Sequence, residues 1–420
     1  MPNSVRPLRV AMLSYRGNPH SGGQGVYVRH LSGALSRLGH KVTVFSGQPY
    51  PQLEAGVELV RVPSLDLFRD EDPFRIPRLW EFRNWIDGLE FGIMCTAGFP
   101  EPLTFSLRVA RLLAARKGDF DVVHDNQCLG YGVLALLGMG LPVVGSIHHP
   151  IEVDRQLELA EARGIKRKVS MHRWYGFHHM QRRVAQRLPL VVAVSETARE
   201  DIIRHVRLRP ERVRVVHIGV DSELYQPTPS VPKVPGSILA MASADVPLKG
   251  LTPLLEAMAM LRTSRDAQMV VVAKHRQGSQ VPATLKRLGL NGSVRFVSGV
   301  DEPALLKLYA EAEVAVVPSL YEGFSLPAVQ AMACGVPLVA TTAGALPEVV
   351  GRDGETGLMV RPGDPRQLAA ALDRALGDPA LRARLSVAGR ARVVERFTWL
   401  RTAEALAAEY RRLMAADADR

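Results

Sequence analysis

Cysteine is scarce in this chain, and its scarcity removes whole classes of protein. Only Cys95, Cys128 and Cys334 occur in 420 residues, with no close pair, so neither a disulfide framework nor a thiolate zinc site is indicated. All three are expected to be reduced and mostly buried. Long apolar runs are missing too. No stretch of eighteen apolar residues occurs, which excludes a spanning helix, and the longest segment without charge, Asn126 to Pro150, is broken by glycines, Pro142 and two histidines. That segment reads as a helix followed by a strand. Residues Met1 to Arg9 hold two arginines but no apolar leader core, and Val10 to Leu13 is too short to be one. The expected location is cytoplasmic.

What is present is enough chain for two hydrophobic cores, since 420 residues exceed what one core usually supports. Short β-branched runs alternate with helical stretches in both halves. In the first half they are Arg9 to Ser14, Val42 to Ser46, Val57 to Val62, Val122 to His124, Val143 to Ile147, Val191 to Val194 and Val213 to Val216. In the second they are Ile238 to Met241, Met269 to Ala273, Val294 to Val297, Val314 to Val317 and Pro337 to Ala340. This is the pattern of parallel sheets covered on both faces, an α/β fold. Between the halves, Gln226 to Pro235 holds four prolines and predicts a stiff linker. The boundary is therefore expected between Ser222 and Gly236, with domains at 1–222 and 223–397. The stripe Leu400, Ala403, Leu406, Ala407, Tyr410 and Leu413 predicts an amphipathic helix over Leu400 to Ala416.

Charge is uneven. The chain has 53 basic and 42 acidic residues, and 163–187 mixes eight Lys or Arg with Trp174, Tyr175 and Phe177 and has no acidic residue. A solvated helix face and a surface for anionic lipid or a phosphorylated acceptor are both open readings of it; no nucleic acid partner is expected. Leu65 to Ser106 is the least patterned region, and its Trp80, Phe82, Trp85, Phe91 and Phe99 suit either an acceptor pocket or a locally packed insertion.

The densest chemical signal is Pro318 to Gly335, a loop and short helix following the strand Val314 to Val317. Pro327 sits where a first helical turn tolerates proline, and Gly335 stops the helix. A loop feeding a helix N-terminus presents backbone N–H groups and a partial positive charge, which suits a phosphate or diphosphate. Glu322 opens the loop, and Gln330 follows eight residues later on the helix. The sequence Gly23-Gln24-Gly25-Val26-Tyr27-Val28 fails as a dinucleotide fingerprint: valine replaces the third glycine, and no acidic residue ends the strand Val42 to Ser46. Acidic triplets at Asp70 to Asp72 and Asp417 to Asp419 are read as chance, so no metal is expected.

With those residues in place, the chain resembles the family 4 retaining glycosyltransferases over nearly its whole length. The resemblance rests on Gly22-Gly23, Ser146-Ile147-His148, Pro247-Leu248-Lys249-Gly250, the Glu322 loop, Gly344 to Glu348, Asp353 to Leu358 and Phe397-Thr398-Trp399, in family order. It implies a GT-B architecture, two Rossmann-like doubly wound parallel-sheet domains facing a cleft, with residues 398–420 crossing back onto the first domain. It implies a nucleotide diphosphate sugar as donor substrate, no other cofactor, and transfer to a cytosolic or membrane-surface acceptor, a sugar, a lipid or a phosphorylated molecule, of which the basic segment 163–187 favours the last two. Lys249 is expected to neutralise the diphosphate, although a surface lysine is the competing reading. His148 is expected to hydrogen-bond the donor sugar, against a purely structural histidine, and Glu322 a sugar hydroxyl. Gly22 and Gly23 let backbone amides approach the phosphate or sugar, and amides from Gly323, Phe324, Ser325 and Leu326 hold them.

Two departures from the family stand out. Ser243 occupies the region where an arginine is usual, and Lys274 or Arg276 is expected to supply the missing cation. Gln330 replaces the ribose-binding glutamate, so weaker or altered nucleotide binding is expected. A synthase or phosphorylase-like activity on a soluble sugar is the alternative enzyme, and a catalytically weakened sugar- or nucleotide-binding partner is the alternative class.

Overall fold

A computed structural model describes residues 6–418 apart from 19–23, 70, 150, 153–154, 156–158, 160–163, 243–246 and 274–279. Gly22, Gly23, Ser243, Lys274 and Arg276 therefore lie outside the described residues, as does Asp70. Two parallel sheets carry the fold. The first contains β1 (Arg9–Ser14), β2 (Lys41–Ser46), β3 (Glu58–Arg61), β4 (Val122–Asn126), β5 (Val143–Ile147), β6 (Leu190–Ala193) and β7 (Val213–Val215), in the order β3-β2-β1-β4-β5-β6-β7. The second contains β8 (Ser237–Ala240), β9 (Gln268–Val272), β10 (Val294–Val297), β11 (Val314–Val317), β12 (Leu338–Thr341) and β13 (Leu358–Val360), in the order β10-β9-β8-β11-β12-β13.

The register follows from burial. Strands β4, β5, β6, β11 and β12 are buried at every position, as parallel strands covered by helices on both faces must be. Val10 pairs with Val42 on one side and Val122 on the other, and Val316 lies between Ala240 and Val339. In each sheet the strand order reverses beside the first strand, between β1 and β4 and between β8 and β11. Loops leaving the carboxyl ends of strands at such a reversal are where parallel sheets hold ligands. Strand β13 was not anticipated from sequence; it is three residues long and pairs only along β12.

The chain forms two compact units, one of Met1–Val194, Ala198–Val216 and Trp399–Arg420, the other of Ser195–Thr197 and His217–Thr398. The proline-rich stretch lies within the second, where Val234 N donates to Glu311 O at 2.8 Å and Lys233 Nζ to Tyr309 O at 3.3 Å. The C-terminal helix, Trp399–Ala418, belongs to the first unit and packs on the helix Gln24–Arg37. Ala403, Leu406, Ala407, Tyr410 and Leu413 are buried there, but Leu400 is exposed because it falls at the rim of the stripe. In the 65–106 region Leu65, Leu67 and Phe68 are buried against Phe82, Phe91, Met94, Phe99 and Trp174, while Trp80 and Trp85 are exposed. Cys128 and Cys334 are buried, Cys95 exposed. Among the described residues no helix is long and apolar enough to cross a membrane.

Candidate functional site

In the second unit the site starts from two glycines that carry no side chain because backbone occupies the space. Gly250 adopts a left-handed conformation, φ 67°, and a Cβ there would lie 2.0 Å from Pro318 O, the carbonyl that follows β11. This close approach, with Leu320 N donating to Leu248 O at 2.7 Å, lays the short turn Pro247–Lys249 against the loop after β11. The turn ends in Lys249, and its ammonium therefore reaches Glu322: Nζ stands 2.8 Å from Oε1. The same carboxylate oxygen accepts from Ser319 Oγ at 2.7 Å. Glu322 is buried, and these two donors satisfy that oxygen. Gly344 is the second glycine. A Cβ there would sit 2.2 Å from Glu322 O, and Ala345 N donates to that carbonyl at 2.9 Å.

The loop then enters the helix Leu326–Ala333, with Pro327 in its first turn. Ser325 precedes the helix at φ 84°, left-handed without being glycine. Its hydroxyl is buried and has no hydrogen-bond partner among the described residues. A buried hydroxyl with no partner, beside unpaired helix N–H groups, is chemistry that suits a polar anionic ligand. Phe324 turns inward and packs its ring against His217 and Phe397, with centroids 6.2 and 5.8 Å away, which leaves its backbone rather than its side chain for the loop surface. Gln330 lies on the helix and accepts from the buried Tyr309 hydroxyl at 3.4 Å.

His148 belongs to the first unit, just past β5. Its Nε2 lies 2.6 Å from the side-chain amide of Asn126, which orients the ring. Its backbone N donates to Gln127 Oε1 at 2.7 Å, and its ring meets Tyr27 edge-on at 4.5 Å. Burial lowers its pKa to about 4, so the imidazole is neutral near pH 7. Sequence reasoning missed its supports. His124, Asp125, Asn126 and Gln127 are consecutive and all buried at the carboxyl end of β4. His124 Nε2 lies 2.8 Å from Ser146 Oγ and its Nδ1 faces the Tyr410 hydroxyl, while burial holds its pKa down to about 3. Asp125 Oδ2 accepts from Leu129 N at 2.7 Å, and desolvation raises its pKa to about 7. Four polar residues ending an otherwise apolar strand were the signal that could have exposed this cluster.

The structure thus brings Lys249, Glu322, Gly323, Phe324, Ser325, Leu326 and Gln330 into one part of the second unit. His148 is placed in the first with a different set of partners. Among the described residues no group of His, Cys, Asp and Glu is arranged to hold a metal ion.

The chain is similar to known proteins along most of its length. Residues 235–378 match a model described as Glycosyl transferases group 1, and residues 22–219 match a Glycosyl transferase 4-like domain. The chain is 52% identical over 409 residues to an MMP α-(1→4)-mannosyltransferase of Mycolicibacterium hassiacum, covering 97% of this chain and 99% of that one. It is 31% identical over 447 residues to a D-inositol 3-phosphate glycosyltransferase of Nocardioides sp., covering 98% and 92%. Its fold is that of the sucrose-phosphate synthase from Thermosynechococcus elongatus, with a TM-score of 0.71, 24% identity, and coverage of 97% and 100%.

Proposed function

The chain belongs to the group 1 glycosyl transferases and is a glycosyltransferase of the GT-B type; on that premise we propose that it moves a mannosyl group from a nucleoside diphosphate sugar to a hydroxyl of a sugar acceptor, with retention and without a metal. The 52% identity to an α-(1→4)-mannosyltransferase supports the sugar and the stereochemistry. The observation that carries the donor half is the Lys249–Glu322 pair beside the N-terminus of the helix Leu326–Ala333. Nothing favours a version that only binds.

In this reading the C1–oxygen bond to the diphosphate breaks and a bond from C1 to the acceptor oxygen forms on the same face. A leaving phosphate oxygen takes the acceptor's proton, so no side-chain nucleophile is required. Negative charge grows on the diphosphate, and the ammonium of Lys249 with the amides of Gly323 to Leu326 stabilises it. Glu322 accepts from a hydroxyl of the sugar and Gln330 meets the ribose. His148, neutral because it is buried, hydrogen-bonds a hydroxyl of the transferred sugar. Gly22 and Gly23 offer backbone amides; Lys274 or Arg276 supplies a second cation in place of the arginine lost near Ser243. Residues 1–222 with 398–420 would serve as the acceptor domain and 223–397 as the donor domain.

The reading is tested by supplying UDP-, GDP- and ADP-hexoses with mannoside acceptors and following the anomeric signal of the product by NMR. Turnover of none of them, or a β-linked product from an α-linked donor, would refute it. Loss of charge at both Lys274 and Arg276 is expected to raise the donor KM; unchanged kinetics would exclude them.

One observation favours a membrane-facing acceptor as a second reading. The helix Ile165–Trp174 buries none of its residues, and Ile165 and Val169 are exposed beside Lys166, Arg167 and Lys168. Each cation near an anionic leaflet contributes about 1 kcal/mol. Under that reading the enzyme works at the cytoplasmic membrane face and co-sediments with anionic but not neutral vesicles at low salt; no sedimentation would leave a soluble acceptor.

A further inference from the structure

The donor loop is held by a residue that none of its motifs contains. Ser195 follows β6 in the chain, more than a hundred residues before the loop, yet it is part of the same compact unit, together with Glu196 and Thr197. It is completely buried, and its hydroxyl donates to Gly323 O at 2.6 Å. In a trans peptide the carbonyl oxygen and the next N–H point in opposite directions. A donor fixed on Gly323 O therefore also fixes the direction of the Phe324 N–H. That amide is one of the loop groups expected to meet the donor.

Neighbouring atoms in the loop are secured from other sides. Glu322 O is bonded by Ala345 N, the Glu322 carboxylate by Lys249 and Ser319, and the Phe324 ring is clamped by His217 and Phe397. Between them the Gly323–Phe324 peptide is joined to a residue without a large side chain, and glycine itself resists rotation least. Glu196 N, next in the chain to Ser195, donates to Glu348 Oε2 at 2.9 Å, so the segment carrying the hydroxyl is itself anchored.

We propose that Ser195 is a positioning residue for donor binding, holding the Gly323–Phe324 peptide so that the Phe324 amide faces the diphosphate sugar. This rests on the reading that residues 322–326 hold the donor. The molecule supplies a matched control. Ser386 makes the same kind of bond at the other end of the same helix, Oγ to Gly335 O at 2.6 Å, where no ligand is expected.

The test compares Ser195→Ala, Ser195→Thr and Ser386→Ala by calorimetric titration with UDP, GDP and ADP, and by steady-state turnover of the diphosphate sugar that the wild-type chain uses. Loss of one well-aligned bond to a loop that must be ordered is expected to weaken nucleotide binding and raise the donor KM about tenfold in Ser195→Ala. Ser195→Thr keeps the hydroxyl and should restore most of that loss, while Ser386→Ala should bind nucleotide as the wild type does. Equal losses in the two alanine variants, or no loss in either, would overturn the inference. Lys249→Ala separates the two levels. If it binds nucleotide normally, the donor reading fails and the role of Ser195 fails with it; if it loses binding while Ser195→Ala matches Ser386→Ala, only the Ser195 inference falls. Should Ser195→Ala not fold, Ser195→Cys against Ser195→Thr makes the same comparison, because a thiol is a weak donor, and the same outcomes apply.

Discussion

Gly344 faces the carbonyl of Glu322 so closely that a Cβ on the glycine would lie 2.2 Å from that oxygen. The two residues lie on loops that follow neighbouring strands, β12 and β11, and the missing side chain lets the loops touch. Gly344→Ala meets both the clash and a left-handed φ of 54°. It is expected to cost about 1–3 kcal/mol in stability and to depress turnover through displacement of Glu322. Urea unfolding and donor KM check this; a variant matching the wild type in both would show that the loop does not depend on this approach.

Lys249→Ala should separate function from stability. The Lys249 side chain is about a third exposed while Glu322 is buried, so the substitution leaves that carboxylate with Ser319 as its donor and costs about 1 kcal/mol of folding. A charged hydrogen bond to phosphate contributes about 1.5–3 kcal/mol, so kcat/KM should fall roughly 10- to 100-fold while the melting temperature drops by only about 2–4 °C. Turnover kinetics and a thermal scan on one preparation decide it, and a large drop in melting temperature would assign Lys249 a structural role.

Gln330→Glu restores a carboxylate where the related family carries one. Tyr309 can still donate to it, since the hydroxyl needs only an acceptor oxygen. A carboxylate accepts more strongly from ribose hydroxyls than an amide does, so nucleoside diphosphate should bind a few-fold more tightly. Titration calorimetry measures this. Weaker binding would mean that the amide N–H₂ donates to the nucleotide.

Ser325→Gly should stabilise the fold and damage the enzyme. Glycine removes the strain of a left-handed serine, about 1 kcal/mol. It also removes the buried hydroxyl that has no partner among the described residues. A higher midpoint in urea with a raised donor KM is expected; unchanged KM would place that hydroxyl outside the donor contacts.

His124 makes stability depend on acid. Burial first, then the neighbouring His148, lowers its pKa from 6.5 to about 3. The folded chain therefore refuses a proton that the unfolded chain takes up below pH 6.5, so this contribution is full above pH 6.5 and is lost as pH falls towards 3. Asp125, raised to about 7, acts in the opposite sense by losing stability as pH rises from about 4 to 7, so wild type alone is ambiguous. The stability difference between wild type and His124→Phe isolates the histidine, and it should shrink between pH 6.5 and 4. A constant difference would show that His124 protonates as easily in the folded protein as in the unfolded one.

Both sheets were readable from β-branched runs because a doubly covered parallel strand needs apolar residues on both faces and shows them without interruption. Strand β13 escaped because Leu358 to Val360 is too short to show any period. The glycine-bearing segment after β11 was readable because helix starts and left-handed helix ends leave local marks such as Pro327 and Gly335. Ser325 shows the limit, since a serine in a left-handed conformation leaves no such mark.

From sequence alone came the class of fold, which follows from local pattern, and the family likeness, whose motifs singled out Lys249, Glu322 and His148 as candidates. Tertiary structure alone decided which groups support them. It set Ser195 under Gly323, Tyr309 against Gln330, Ser319 and Lys249 on one carboxylate oxygen, and Asn126 on the His148 ring. These partners are 3 to 128 residues apart in the chain, and a hydrogen bond depends on distance and direction in space rather than on separation in sequence.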